Sequence, residues 1–303
     1  MTSLFDQVGM ESAAEEFYEA MQAALIESPE PGVYPGIKMR EYLLWDACNN
    51  SRLSDLLRSP YVCKWRMDNP EVEAEATDVS RLEGTAFGSF VHLAVLEPEQ
   101  LAREYARVEG NWARKGPKDE VAEVRDSGRI PVKPRVWEAG KAIRENVWKH
   151  PVARRLVQNA RAREISATWT DPGTGVLCKC RADLLSGPVV GDIKTTRDAA
   201  KFDRTAYEYN YYRSAPFYLD GLTALDQGVQ AFAYIVIENQ EPFEVSVKEL
   251  DPGAMDLGRM EYRHLLDRYA EHMSTGIWPI ASEAIDTVFL PKWATDEIER
   301  RVG

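Results

Sequence analysis

The chain has 303 residues, with 37 Lys+Arg against 49 Asp+Glu and a formal net charge of −12. A hydrophobic fraction of 44% and a charged fraction of 28% exclude a low-complexity disordered chain, and leave room for two domains or one elaborated α/β domain. The acidic balance speaks against a protein that coats DNA by bulk charge, since such domains run to isoelectric points above about 9.

The opening segment carries Asp6, Glu11, Glu15, Glu16 and Glu19. It reads as an acidic, helical lead-in and not as a secretory leader, which sets basic residues ahead of an apolar stretch. The longest apolar run, Ala231 to Ile237, is far short of the ~20 residues a membrane span needs. No membrane association is expected. Four cysteines are too few for a disulfide scaffold in a chain of this length, so the expected compartment is a reducing cytoplasm.

In chain order, Pro29, Pro31 and Pro35 with Gly32 and Gly36 break the chain. Ser51 starts a helix that Ser59-Pro60 ends. Glu71 to Ser80 reads as an acidic loop. Gly84 to Leu96 is apolar nearly all round, the mark of a buried helix, with Gly84 and Gly88 on one face. Gly110 to Lys118 is a basic loop. A long helix is predicted from Pro134 to Arg163. The period then switches to two: Glu164 to Thr170, Val176 to Leu185 and Val189 to Thr195 form a meander of three strands. Asp203 to Leu222 is predicted helical, with a tyrosine set (Tyr207, Tyr209, Tyr211, Tyr212 and Tyr218) read as core packing, base stacking being the alternative. Gln230 to Glu238 reads as a buried central strand, Pro242 to Leu250 as its neighbour, and Pro252 to Met273 and Pro291 to Arg301 as helices. The order predicts an α/β (α+β) fold with a central mixed β-sheet flanked by helices, antiparallel in the meander and parallel across the helical crossover.

The meander holds the chemistry. Asp192 and Lys194 are two apart on a strand and project to one face, while Ile193 points to the opposite face. The turn at Gly187-Pro188 returns Asp183 close to Asp192. Two carboxylates that close repel unless a cation sits between them, and Mg²⁺ is the natural candidate: hard, oxygen-seeking and commonly shared with a substrate phosphate. With Lys194 orienting or deprotonating a water, this is a constellation for metal-dependent hydrolysis of a phosphodiester. The competing reading is a solvated strand face with a surface ion pair.

Cys178-Lys-Cys-Arg-Ala-Asp183 followed by Gly191-Asp-Ile-Lys-Thr-Thr196 resembles the PD-(D/E)XK nuclease superfamily, with its restriction-endonuclease-like core. Within it the sequence is most similar to the RecE (exonuclease VIII) type. Tyr34-Pro-Gly-Ile37, Asn50 to Ser54, Gly84 to His92 with Leu96-Glu-Pro98, Gly173-Thr-Gly175, Gly276-Ile-Trp-Pro279 and Pro291-Lys-Trp-Ala294 fit the same pattern, from about residue 34 to 295. The resemblance implies an acidic extension over 1–33 and a nuclease domain over 34–303. That domain would have a helical part (34–163), a catalytic sheet core (164–250) and C-terminal helices. It implies Asp183 and Asp192 as metal carboxylates, His92 and the Ile193 backbone carbonyl as further ligands, and Lys194 as the catalytic lysine. Mg²⁺ is the expected metal, with Mn²⁺ as a substitute.

Further implications follow from the same resemblance. The activity would be exonucleolytic on double-stranded DNA ends, 5′-to-3′, in a bacterial or phage-infected cell. A single-strand annealing partner of the RecT type and a toroidal homo-oligomer are implied as well. The family's Gln-x-x-x-Tyr on the following helix is met at Tyr218, but Ser214 stands in place of Gln, and Arg213 is a candidate to compensate. The family's Pro-Asp is Ala182-Asp183 here. Iron–sulfur relatives carry three cysteines after the nuclease core, and this chain has none after Cys180, so no such cluster is expected. DNA contacts are expected from Arg114, Lys115, Lys118, Arg181, Thr195, Arg213, Ser214 and Tyr218. Two other readings remain: an endonuclease on the same fold, and a DNA-binding module with a weakened site.

Overall fold

A computed structural model describes residues 29–75, 87–280, 285 and 287–302. The lead-in over residues 1–28 and the stretch 76–86, which holds Gly84 and the end of the acidic segment, lie outside the described residues.

The proline-rich start does more than break the chain. Residues ahead of a proline favour extended backbone, and Gly32–Tyr34 forms a short strand, β1. Three helices follow: α1 (Met39–Leu44), α2 (Asn50–Arg58) and α3 (Pro60–Asp68). The cap of α2 is Asn49, whose side chain accepts from the Arg52 N–H at 2.8 Å, so the helix opens just before the expected Ser51. Residues 70–75 are helical, although a loop was expected from Glu71 onward. The apolar helix α4 (Phe87–Leu96) is followed by α5 (Pro98–Glu104). Next, β2 (Tyr105–Arg107), α6 (Lys115–Asp126) and β3 (Ile130–Val132) make a parallel β-α-β unit apart from the main sheet. The expected basic loop therefore ends at Arg114, and Lys115 opens a helix.

The single helix expected from Pro134 to Arg163 is two, α7 (Pro134–Lys149) and α8 (Pro151–Gln158). Pro151 has no N–H for the helix ladder, and His150 caps the second piece by accepting from the Ala153 N–H. The meander is present as β4 (Ala160–Thr170), β5 (Leu177–Ser186) and β6 (Val189–Thr196). The crossover splits into α9 (Phe202–Glu208) and α10 (Tyr211–Ala224) at Asn210, which sits at φ 58. Then come β7 (Ala231–Glu238), β8 (Val245–Lys248), α11 (Pro252–Thr275) and α12 (Lys292–Val302). None of the described helices is long and apolar enough to cross a membrane.

The main sheet runs β1-β4-β5-β6-β7-β8, antiparallel throughout except for the parallel β6–β7 pair. It is the predicted mixed sheet flanked by helices. One face packs Leu53, Leu56, Phe217, Leu222, Tyr262 and Leu265 from α2, α10 and α11. The other packs Val91, Val95, Ile143, Val147 and Leu156 from α4, α7 and α8. All four cysteines are free and buried.

Lys179 on β5 fastens α1 to this sheet. Its side chain is 2% exposed, and the ammonium donates to the carbonyls of Tyr42 (2.8 Å), Leu43 (3.2 Å) and Trp45 (2.7 Å). The last carbonyls of a helix have no partner within it, and one buried cation serves three here. Lys179→Met keeps the length and removes every donor. It is expected to destabilise the protein by about 2–3 kcal/mol, read as a lower urea midpoint at unchanged slope.

Candidate active site

The site forms where β5 and β6 part. Their pairing covers Leu184↔Gly191, Leu185↔Val190 and Ser186↔Val189, and stops there. Gly191 is needed at the last level, because a Cβ on it would meet the Leu184 side chain at 2.6 Å. Beyond this level no β5 residue pairs with Ile193. Its N–H donates instead to Asp183 Oδ2 at 2.6 Å, and its carbonyl lies 2.9 Å from His92 Nε2. A buried peptide group must find a partner, so the splay itself recruits a carboxylate from β5 and an imidazole from α4.

The β4–β5 ladder bends at the same level. Cys178, Cys180 and Ala182 face the first core, but past Asp183 it is Leu185 that does so, while Leu184 faces the second. Across the ladder Ile165 and Ala162 face the first core, and Glu164 between them has φ 47. A non-glycine residue in the left-handed region is uncommon and strained. The shared change of phase turns Glu164 and Asp183 toward His92. One ligand atom from each of His92, Glu164 and Asp183 lies within 4.8 Å of the others. Asp192 and Lys194 stand beside them on β6, joined by Lys194 Nζ to Asp192 Oδ2 at 2.6 Å and Oδ1 at 2.8 Å.

The electrostatics follow from crowding. Burial raises the Asp183 carboxyl well above its ordinary range, and Asp192 and Glu164 add to this against the opposing His92. Burial alone would lower the His92 imidazolium. Asp183 (3.4 Å) and Glu164 (3.7 Å) outweigh it and lift the pKa from 6.5 to about 9. Glu164 is lowered, its burial offset by His92 and Arg181. Burial likewise disfavours the Lys194 ammonium, but Asp192 and Asp183 raise its pKa.

Of the residues expected at the site, His92, Asp183, Asp192, Lys194 and the Ile193 carbonyl come together. Glu164 is an addition that sequence reading missed. The hairpin after the turn at Asp171-Pro-Gly173 pairs Ile165 with Ala182 and Arg163 with Leu184, which leaves Glu164 opposite Asp183; the turn hints at that adjacency but not at the face Glu164 takes.

Two expected DNA contacts are corrected. Arg181 is turned inward, donating to Glu164 Oε2 (3.1 Å), the Ile37 carbonyl (2.7 Å) and Ser166 Oγ (2.9 Å). It positions Glu164. Arg213 is wholly buried and donates to Asn50 Oδ1 (2.8 Å), Ser54 Oγ and Glu261 Oε2 (3.2 Å). It ties α10 to α2 and α11 and has no free face for a phosphate. Ser214 is buried, its hydroxyl donating back to the Tyr211 carbonyl at 3.1 Å. Tyr218 is half-buried against the first core. Thr195 is half-buried, with its Oγ1 3.8 Å from where a Cβ on Gly88 of α4 would stand. Arg114, Lys115 and Lys118 are exposed at the start of α6. Trp112 beside them is half-buried, its indole N–H donating to the Val108 carbonyl at 3.2 Å.

A mixed sheet carrying Asp183 on one antiparallel strand and Asp192-x-Lys194 on the next, with a parallel strand beyond, is PDDEXK-like architecture. The family model described as "PDDEXK-like domain of unknown function (DUF3799)" matches residues 64–291, and the chain belongs to that family. No curated protein matches the sequence. A solved structure from Eubacterium rectale, described as "Putative exonuclease", is similar at 12% identity and a TM-score of 0.45, covering 70% of this chain and 77% of that one.

The donor set fits a hard divalent cation. Three carboxylates (Glu164, Asp183 and Asp192), a backbone carbonyl and one imidazole are oxygen-rich, with no thiolate among them. His92 also generates a test in metal-free protein. A histidine whose pKa is raised on folding stabilises the fold fully below about 6.5, and that contribution is lost as pH rises through about 9. Urea titrations under chelator are expected to show stability falling across this window in the parent, and a flatter profile in His92→Gln.

Proposed function

We propose that the protein is a metal-dependent deoxyribonuclease that hydrolyses phosphodiester bonds of linear double-stranded DNA from its ends. The observation that carries the reading is the triple of His92, Glu164 and Asp183 within 4.8 Å of one another, set against the Asp192–Lys194 pair. Membership in a PDDEXK-like family supports it. Polarity (5′-to-3′, leaving 3′ single strands), a RecT-like annealing partner, a ring-shaped homo-oligomer, a cytoplasmic setting and a single nuclease domain over 34–303 rest on the RecE-type resemblance alone.

Asp183, Asp192, Glu164, His92 and the Ile193 carbonyl would hold Mg²⁺ or Mn²⁺. Such an ion supplies Lewis-acid polarisation of the phosphate and a more acidic water. Lys194 is kept as an ammonium by its carboxylate neighbours. Its role is to donate a hydrogen bond and positive charge to a phosphate oxygen or an attacking water, in place of taking a proton. Arg181 fixes Glu164 so that the carboxylate does not collapse onto His92.

A second reading, a DNA-binding module with a weakened site, has Ser214 in its favour: its short side chain is spent on the Tyr211 carbonyl. Digestion of end-labelled linear and circular duplex with Mg²⁺ or Mn²⁺ decides among the readings. The expected result is loss of linear substrate only. Cleavage of circles would favour an endonuclease, and end binding without turnover would favour the module. Asp192→Ala and Lys194→Ala should each lower turnover by about 10²- to 10³-fold. Glu164→Gln should raise the metal requirement about tenfold or more.

A further inference from the structure

The tyrosines around the α9–α10 break do not all pack in the core. Tyr211 does so in part: its ring stacks on Tyr234 (5.9 Å, 30°) and Phe202 (6.0 Å, 29°), and Lys194 Nζ lies 4.8 Å from its centroid. Tyr209 stacks on Tyr211 at 5.8 Å and 23°, yet is 64% exposed. One ring, Tyr211, thus contacts both an open aromatic surface and the candidate lysine.

The turn that presents Tyr209 is anchored. Its N–H donates to the Thr205 carbonyl at 3.0 Å, the Asn210 N–H to the Tyr207 carbonyl at 3.1 Å, and the Asn210 side-chain amide to Ser54 Oγ at 3.3 Å. Asn210 takes the left-handed conformation that asparagine tolerates better than most residues. A second exposed ring, Tyr207, stacks on Tyr212 but borders a separate apolar groove with Leu257 and Met260.

We propose that Tyr209 is a stacking platform for an unpaired nucleobase of the strand whose phosphate is engaged beside Lys194. The proposal rests on the nuclease reading and deepens it by naming the substrate: a strand end whose terminal base has left the duplex. A paired base already has neighbours on both faces, whereas an unpaired base offers a free π-face that any aromatic ring can take, whatever the sequence. Tyr209 touches no candidate metal ligand, so it is a binding and positioning residue.

The test uses short single-stranded oligonucleotides with 2-aminopurine walked inward from either end. They are bound in Ca²⁺ so that the strand is held without turnover. The parent and Tyr209→Phe are expected to quench the probe at one position. Tyr209→Ala should lose that quenching and bind about tenfold more weakly. An abasic nucleotide at the same position should remove the difference between parent and Tyr209→Ala. Quenching and affinity unchanged in Tyr209→Ala, or a full alanine defect that persists on the abasic strand, would overturn the proposal. Cleavage with Mn²⁺ of a wholly abasic strand separates it from the nuclease reading. Parent and Tyr209→Ala should cut that strand equally. A parent that quenches the probe but digests neither these strands nor linear duplex refutes the nuclease reading and leaves the stacking supported. A parent that cuts while Tyr209→Ala quenches normally refutes the stacking alone.

Discussion

The peptide groups of Ile193 are the constraint on which the site depends. When β5 leaves β6 beyond Leu184 and Gly191, a buried N–H and a carbonyl lose the partners a longer ladder would have given them. Leaving such a group unsatisfied costs about 1–3 kcal/mol. Asp183 and His92 fill those two places, so the fold holds a carboxylate and an imidazole where a longer ladder would continue the strand pairing. The geometry of the side chains is therefore inherited from backbone hydrogen bonding and not from the side chains' own preferences. That is a sturdier way to place a buried carboxylate than an ion pair, because the N–H cannot swing away.

Charge balance is local. The chain carries −12, but around the site Glu164, Asp183 and Asp192 meet His92, Lys194 and Arg181 at hydrogen-bond or ion-pair distance. Net charge had suggested a protein averse to nucleic acid, and Arg181 and Arg213 were two of the local cations expected to answer it. Both are consumed inside the fold. Arg213 neutralises Glu261 across α10 and α11, and Arg181 holds Glu164. What remains for a polyanion is a smaller set of surface cations, such as Arg114, Lys115 and Lys118, together with the ammonium of Lys194.

The parts legible in the sequence are those written in local periodicity. Asp192 and Lys194 share a face because strands alternate, and Ile193 is buried for the same reason. The turn residues and the long crossover forecast an antiparallel meander next to a parallel pair, and the sheet has that order. The parts not legible depend on partners far away in the chain. β1 is three residues among prolines and exists because β4 offers it an edge. Glu164 reads as the first residue of a strand. Its role comes from a left-handed residue that shifts the phase of two strands together, which no period-two pattern encodes. Arginine defaults to the surface in any sequence reading, so the burial of Arg213 becomes visible only once Asn50, Ser54 and Glu261 surround it.

The tyrosines make the same point and carry it to function. Composition treats Tyr209 and Tyr211 alike, and a continuous helix over this segment would have placed them two residues apart, on different faces. The break at Asn210 instead lays one ring over the other. Tyr211 gives its second neighbourhood to Tyr234, Phe202 and Lys194, which fixes its plane from the core side. The stack transmits that order outward: Tyr209 is exposed, yet it meets solvent with a ring whose tilt is set by buried ones. An ordered aromatic face at the surface lowers the entropy lost when a flat partner binds. The same Lys194 that is pinned between Asp192 and Tyr211 therefore joins the two halves of the surface, charge toward a phosphate and aromatic plane toward a base.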